Sequence, residues 1–198
     1  MIYFFYIHNC FFKEVAMNTS KHQEDMIKKI EVLTFLVAMT DNVSQEEAEK
    51  IEYIAGNIRM YYQAQPAVEE YEKSQDVEKA ISLVDLPLTI SINMFEPKDH
   101  FEAIHKELEA MNMNKSESPL EDFEVLLKMK ASEITNDYDR KIAMIAVEDV
   151  YRADGEVSGV ERWAHLVLGK EWGMSIIAVN RWANENLMPI LERGNRAE

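Results

Sequence analysis

The chain has 198 residues, enough for one domain with a sizeable core, and 47% of its residues are hydrophobic. Its 36 acidic and 21 basic residues give a formal net charge of −15, so binding to the phosphates of nucleic acid is not expected. The single cysteine, Cys10, excludes an intramolecular disulfide framework and a multi-cysteine zinc site, and it fits a reducing compartment. No apolar run approaches the roughly 20 residues that a membrane-spanning helix needs.

The first sixteen residues are apolar and aromatic but differ from a secretory signal, because their basic residue follows the apolar run. The tripeptide Lys13-Glu14-Val15 can be encoded AAG-GAG-GTN, a bacterial ribosome-binding sequence, and it lies just upstream of Met17. We therefore interpret residues 1–16 as an untranslated leader read as protein, or as disordered, and 17–198 as one helical domain. A short apolar N-terminal anchor is the alternative.

Apolar residues recur at steps of three and four from residue 23 onward, a spacing typical of amphipathic helices. This pattern predicts a first helix with Met26, Ile30, Leu33 and Val37 along its apolar face, and a second helix over about 44–64. Pro66 is predicted to begin a third helix, because proline is tolerated in the first helical turn. Residues 81–95 alternate apolar and polar side chains, but a lone strand would have no partner. We interpret them as an irregular connector or a short buried helix.

The second half of the chain continues the helical pattern. Pro97 is predicted to begin one helix, and Ser118-Pro119 supplies the cap and first-turn proline of another. Gly173 and Ser175 are expected to end one helix and to cap the last. The helices predicted after the polar linker 112–118 cover about 119–134, 136–153, 158–168 and 175 onward. Seven or eight helices with short connections predict an all-α bundle.

One acidic turn occurs twice. The segment Asp154-Gly155-Glu156-Val157-Ser158-Gly159-Val160-Glu161 has a degraded copy in Thr40-Asp41-Asn42-Val43-Ser44-Gln45-Glu46-Glu47. Each copy follows one helix-like run and precedes another, and the copies lie 114 residues apart, as from Ser44 to Ser158. The sequence therefore predicts two related helix–turn–helix units on either side of a middle insertion.

Helix capping explains most of this turn. Ser44 with Glu47, and Ser158 with Glu161, have the spacing of a capping box, in which hydroxyl and carboxylate each accept a backbone N–H. Gly155 is expected to adopt the left-handed backbone that ends the preceding helix. These roles are structural, and each cap contributes about 1 kcal/mol.

The acidic residues of the two turns also predict a cation site, which is the functional interpretation. Calcium and magnesium prefer oxygen ligands, and carboxylates gather at both turns, although not with the spacing of an EF-hand loop. The candidate ligands for calcium or magnesium are Asp154, Glu156, Asp41, Glu47, Glu161 and Glu148.

The chain resembles the tellurite-resistance TerB-like family, whose hallmark is an apolar helix running into Ala-Asp-Gly-x-Val-Ser-x-x-Glu, present twice on an all-α bundle. The segment from Ala153 to Glu161 matches this motif position for position, and the resemblance covers about 24–64 and 119–180. In the first copy, Thr40 replaces the aspartate and Asp41 occupies the glycine position. The resemblance implies a cytoplasmic protein that binds divalent cations through clustered carboxylates. It also implies a place in stress-response complexes near membranes, without an enzymatic reaction.

No catalytic motif accompanies these turns. The sequence contains no His-Glu-x-x-His motif, P-loop, Gly-x-Ser-x-Gly motif or Rossmann glycine pattern. His165 lies in an apolar helical segment and is expected to be a hydrogen-bonded core residue and not a ligand. Core packing is also predicted for Trp163, Trp172 and Trp182, with a partner groove as the alternative.

The sequence thus predicts a non-enzymatic, cytoplasmic stress-response or interaction module with an unidentified protein partner and a divalent-cation site. The alternative is an acidic adaptor or inhibitor that engages a basic partner without metal. A metal-dependent hydrolase is disfavoured, because no general base with an activating partner can be identified.

Overall fold

A computed structural model describes residues 21–38, 45–88, 119–153, 155 and 157–195, apart from the side chains of 45–49, 51, 52, 55 and 119. Within these ranges the chain forms helices and no strand, which confirms the predicted all-α bundle. The α-helices are α1 (Lys21–Ala38), α2 (Gln45–Ser74), α3 (Val77–Ile81), α4 (Pro119–Ser132), α5 (Asp137–Tyr151), α6 (Gly159–Trp172), α7 (Ile176–Trp182) and α8 (Met188–Asn195). The segment 1–16 and the helix predicted from Pro97 lie outside the described residues.

Three helices, α1, α2 and α5, form the centre of the bundle. The Tyr62 hydroxyl donates to Asp139 near the start of α5, and Lys50 contacts Asp149 near its end, so α2 and α5 are antiparallel. Arg59 of α2 binds Glu24 near the start of α1, and α2 begins shortly after α1 ends, so α1 is antiparallel to α2 and parallel to α5. Fully buried apolar side chains fill the space between them, and each contributes about 1.5–3 kcal/mol. They include Ile27, Ile30, Leu33, Ile54, Ile58 and Ile142.

The second helix is longer than the sequence suggested. It runs for 30 residues with Pro66 in its interior, so the predicted helix start at Pro66 is wrong. Proline lacks a backbone N–H and normally costs a helix interior about 3 kcal/mol or more. Ala64, Ala67 and Val68 are all completely buried on either side of it, and Pro66 itself is exposed. Burial of this apolar face therefore outweighs the local cost of the proline.

Helices α4 and α6 lie side by side and run in the same direction. The rings of Phe123 and Trp163 are 6.1 Å apart near the starts of these helices. Near their ends, the indole N–H of Trp172 donates to the carbonyl of Ala131 at 3.0 Å. Trp172 is buried, which confirms its predicted core role, whereas Trp163 and Trp182 are only half-buried.

The last helical segment follows the predicted signals at its start and departs from them in its middle. Gly173 has a left-handed backbone (φ 66°) that ends α6, and the Ser175 hydroxyl accepts the N–H of Ala178 at 3.2 Å. A π-helical turn, Ala183–Leu187, then separates α7 from α8. This turn carries one more residue than an α-helical turn, and no local sequence signal marks it.

The end of α8 packs against the segment that follows α3. Residues 82–88 form turns and not the strand pattern of the sequence, in agreement with the predicted connector. Gly194 is buried against Leu88, and a Cβ at position 194 would lie 2.5 Å from Leu88 Cδ1. Only glycine fits this contact without displacing Leu88, because the Leu88 side chain is itself buried. No helix in the described part of the chain has the length and apolar character needed to cross a membrane.

Candidate functional site

The turn between α5 and α6 follows its predicted backbone in part. Gly155 is left-handed (φ 82°), as predicted. It does not end the preceding helix, because α5 already ends at Tyr151 with Arg152 as its C-cap. The Ser158 hydroxyl accepts the N–H of Glu161 at 3.1 Å, and a Glu161 carboxylate oxygen accepts the N–H of Ser158 at 2.8 Å. The predicted capping box of the second copy is therefore confirmed, and its carboxylate is buried at the positive end of the α6 dipole.

Glu148 connects this turn to a distant helix. The side chain lies in the last turn of α5 and is 6% exposed. One carboxylate oxygen accepts from Arg152 Nε at 2.9 Å, and the other accepts from Asn180 Nδ2 of α7, also at 2.9 Å. Both oxygens are thus already hydrogen-bonded. Glu148 therefore connects the end of α5 to α7.

The remaining candidate ligands are not described. Asp154, Glu156 and Asp41 lie outside the described residues, and so does the side chain of Glu47. Among the residues that are described, no group of three or more histidine, cysteine or carboxylate side chains is arranged to hold a metal ion. The calcium or magnesium site therefore stays a prediction.

The described helix ends that flank the two acidic turns lie at one end of the bundle. Because α2 is antiparallel to both α1 and α5, the end of α1 at Ala38, the start of α2 at Gln45 and the end of α5 at Tyr151 lie together. The contact between them is Lys50 Nζ to Asp149 Oδ2, at 3.9 Å. Each connection therefore leaves and re-enters the bundle at this same end, which spacing along the sequence did not reveal.

Asp149 makes this end of the bundle electrostatically unusual. It is 9% exposed, and burial raises the pKa of its carboxyl to about 6. The Lys50 ammonium opposes that rise, and the neighbouring Glu148 adds to it. A buried carboxyl with a single cation 3.9 Å away is thus only partly compensated.

Two further buried carboxyls face α2, and α2 supplies a polar partner near each. The Tyr62 hydroxyl donates to Asp139 at 2.7 Å, while burial raises the pKa of Asp139. Glu31 of α1 lies within the field of Arg59, yet burial raises its pKa to about 7. Helix α2 is therefore joined to α5 by the hydrogen bond between Tyr62 and Asp139, and to α1 by the ion pair between Arg59 and Glu24, in addition to apolar packing.

His165 is the other buried titratable group near the turn. It is 5% exposed, and its Nδ1 lies 2.7 Å from the Tyr151 hydroxyl. Its Nε2 is buried and has no hydrogen-bond partner among the described residues, so the predicted core role holds but only one ring nitrogen is satisfied. Burial, followed by the nearby Arg152 charge, lowers the pKa of His165 to about 4. The imidazole is consequently neutral at physiological pH.

Several of these contacts escaped the sequence-based predictions. Lys50, Arg59 and Asn180 carried no motif, and each finds its partner more than thirty residues away along the chain. The sequence signal that could have identified such contacts is a charged residue, such as Glu31 or Arg59, within an otherwise apolar helical stripe. No protein-family model, curated protein or solved structure matches this chain.

Proposed function

We propose that the protein is a non-enzymatic interaction module of the TerB-like kind, in which the two acidic turns together bind a divalent cation and thereby control docking to a protein partner. The observation that carries this proposal is that the helix ends flanking the two acidic turns lie at one end of the bundle. The contact between Lys50 and Asp149 supports that placement.

Coordination chemistry explains why two adjacent turns suit a cation better than one. Calcium takes six to eight oxygen ligands, and a short turn offers only a few. In the sequence, Asp154 and Glu156 flank Gly155, and Asp41 occupies the other connection. We assign these three carboxylates as ligands. Glu148 and Glu161 are assigned to the supporting structure, because hydrogen bonds already engage their carboxylates.

The proposed setting follows from charge and from the resemblance to the family. A net charge of −15 favours binding to cations and to basic protein surfaces. We therefore place the module in the cytoplasm, in a stress-response complex that assembles near a membrane. Cation binding would neutralise part of the acidic end and change which partner surface it attracts.

Thermal unfolding with and without cation tests this proposal. Calcium or magnesium at about 100 times its dissociation constant would stabilise the folded protein by about 2.7 kcal/mol and raise Tm by several degrees. Asp154→Asn is expected to remove most of the rise. Asp85→Asn, which changes an exposed aspartate distant in sequence from both acidic turns, is expected to keep the rise in Tm. Identical melting curves with and without cation, or an undiminished rise in Asp154→Asn, would contradict the proposal.

The net charge of −15 also favours a second candidate, an acidic adaptor that binds a basic protein without metal. Such binding weakens as salt screens the charges, and chelators leave it unchanged. Partner capture that falls between low and high salt but does not respond to chelator would support the adaptor over the cation-dependent module.

A further inference from the structure

A cleft lies at the end of the bundle where α5 begins, α6 ends and α7 begins. Its volume is about 600 Å³, within the range of roughly 300–1,000 Å³ that is typical of small-molecule sites. The chain turns at Gly173 (φ 66°) from α6 into α7, and α7 packs on α5, so all three helices border the cleft. The residues that line it include Asp137, Lys141, Lys170, Met174, Ala178 and Val179.

The inner wall of the cleft is apolar. Val179 is 3% exposed, and Met174 is half-buried and packs against the hydrophobic core. Ala178, the neighbour of Val179 on α7, is exposed and also lines the cleft. An apolar group of a ligand would be removed from water against this wall, which is favourable in proportion to the area that it buries.

Two lysines bring positive charge to the cleft. The Lys141 ammonium lies 2.9 Å from Asp137 Oδ2 and 4.7 Å from the centre of the Trp182 ring, so two neighbours fix its position. Lys170, in the last turn of α6, is exposed and forms no ion pair with another described residue. The lining residues thus carry two positive charges and one negative charge, although the whole chain has a net charge of −15.

We propose that this cleft binds a small organic acid that carries one carboxylate and an apolar chain. The carboxylate pairs with Lys170, and the apolar chain lies against Met174 and Val179. A single carboxylate balances the charge of the lining residues, whereas a doubly charged phosphate would be repelled more strongly by Asp137. The cleft lies at the opposite end of α5 from Asp149, about 18 Å away along the helix, so this proposal is independent of cation binding at the acidic turns.

Titration of the full chain with octanoate at pH 7, followed by nuclear magnetic resonance, tests this site. The methyl signals of Met174, Ala178 and Val179 should shift in a saturable manner. The alcohol 1-octanol has the same chain length without the charge, and it should bind about fivefold more weakly, the effect of losing one exposed ion pair. Acetate and inorganic phosphate at the same concentrations should leave these methyl signals unchanged.

Two variants separate the charged and the apolar parts of the site. Lys170→Gln should weaken octanoate binding about fivefold and leave 1-octanol binding unchanged. Lys73→Gln is the matched control and should bind octanoate like the wild type, because Lys73 is also an exposed lysine in the last turn of a helix but does not line the cleft. Ala178→Leu places a larger side chain in the cleft and should abolish binding of both compounds. Both Lys170 and Ala178 are exposed, so these variants should fold.

Equal affinities for octanoate and 1-octanol would show that the lysines do not contribute, and they would overturn the proposal. Phosphate binding as tight as that of octanoate would also overturn it, because the site would then select charge alone. The same conclusion follows if the Met174 and Val179 methyl signals show no saturable shift, or if Ala178→Leu binds octanoate as tightly as the wild type.

Discussion

The ammonium of Lys50 lies 3.9 Å from the carboxylate of Asp149, and this contact joins the beginning of α2 to the last turn of α5. The two residues belong to different members of the pair of helix–turn–helix units that the sequence predicts. Asp149 is 9% exposed while the Lys50 side chain is 33% exposed, so the cation reaches from the surface toward a buried anion. The pair therefore joins α2 to α5 at the end of the bundle where α2 begins and α5 ends.

Replacement of Lys50 should destabilise the fold in a pH-dependent manner. At pH 8, Lys50→Met leaves a buried, ionised carboxylate without its cation, and we expect a loss of about 1–3 kcal/mol. At pH 5 the loss should be smaller, because burial raises the pKa of Asp149 to about 6 and its neutral form needs no cation. Since this folded-state pKa lies above the ordinary value of 3.8, the stability that the bound proton provides is lost as pH rises through about 6.

Urea unfolding at both pH values measures this difference. Lys79→Met is the matched control, because it removes an exposed ion pair with Glu70 and should leave the free energy of unfolding unchanged at either pH. Equal losses for Lys50→Met at pH 5 and pH 8 would show that packing of the lysine side chain, and not its charge, is responsible.

The buried pair of Tyr151 and His165 should respond more strongly to single than to double replacement. Tyr151→Phe or His165→Leu alone leaves a buried polar group without its partner, at a cost of about 1–3 kcal/mol. The double variant removes both groups and also the unpartnered Nε2, so it should be at least as stable as either single variant. A double-mutant cycle by chemical denaturation measures the coupling free energy between the two side chains. If the losses of the single variants simply add in the double variant, the prediction is wrong.

His165 also predicts a loss of stability in acid. Burial lowers its folded-state pKa to about 4, below the ordinary value of 6.5. The unfolded chain therefore binds the proton first, and the stability present above pH 6.5 is lost as pH falls toward 4, by up to about 3 kcal/mol. The free energy of unfolding of the double variant should decline less over this range than that of the wild type.

The capping box at the start of α6 should be worth about 1 kcal/mol. Ser158→Ala removes the acceptor for the N–H of Glu161 and is expected to lower the free energy of unfolding by that amount. Ser132→Ala is the control, because its hydroxyl only donates to the Met129 carbonyl on an exposed surface. If the two variants unfold at the same urea concentration, the box does not stabilise α6.

Local signals were read correctly from the sequence because their causes are local. Gly155 and Gly173 have positive φ angles, which glycine adopts without the steric cost that other residues bear. Ser158 and Ser175 cap helices through backbone N–H groups three residues away. The all-α class followed from periodicity in the same way. Each of these features depends on interactions that a short window of sequence contains.

Features that depend on distant packing were predicted wrongly or not at all. Pro66 looked like a helix start, but buried alanine and valine residues next to it keep α2 continuous. The contact between Asn180 and Glu148 forms only when α7 packs against α5, and no short sequence pattern marks the π-helical turn Ala183–Leu187. For the candidate site, the sequence supplied the acidic turns and the capping box of Ser158 and Glu161. The meeting of the helix ends beside both turns depends on the antiparallel packing of α2.

The contact between Gly194 and Leu88 has a consequence for altering the C-terminal end of the chain. Leu88 is 4% exposed, and the last turn of α8 covers it with a residue that has no side chain. Removing that turn would uncover an apolar side chain and deprive the short helix α3 of a neighbour. Affinity tags at this end should therefore follow residue 195, since the last turn of α8 covers the core at Leu88.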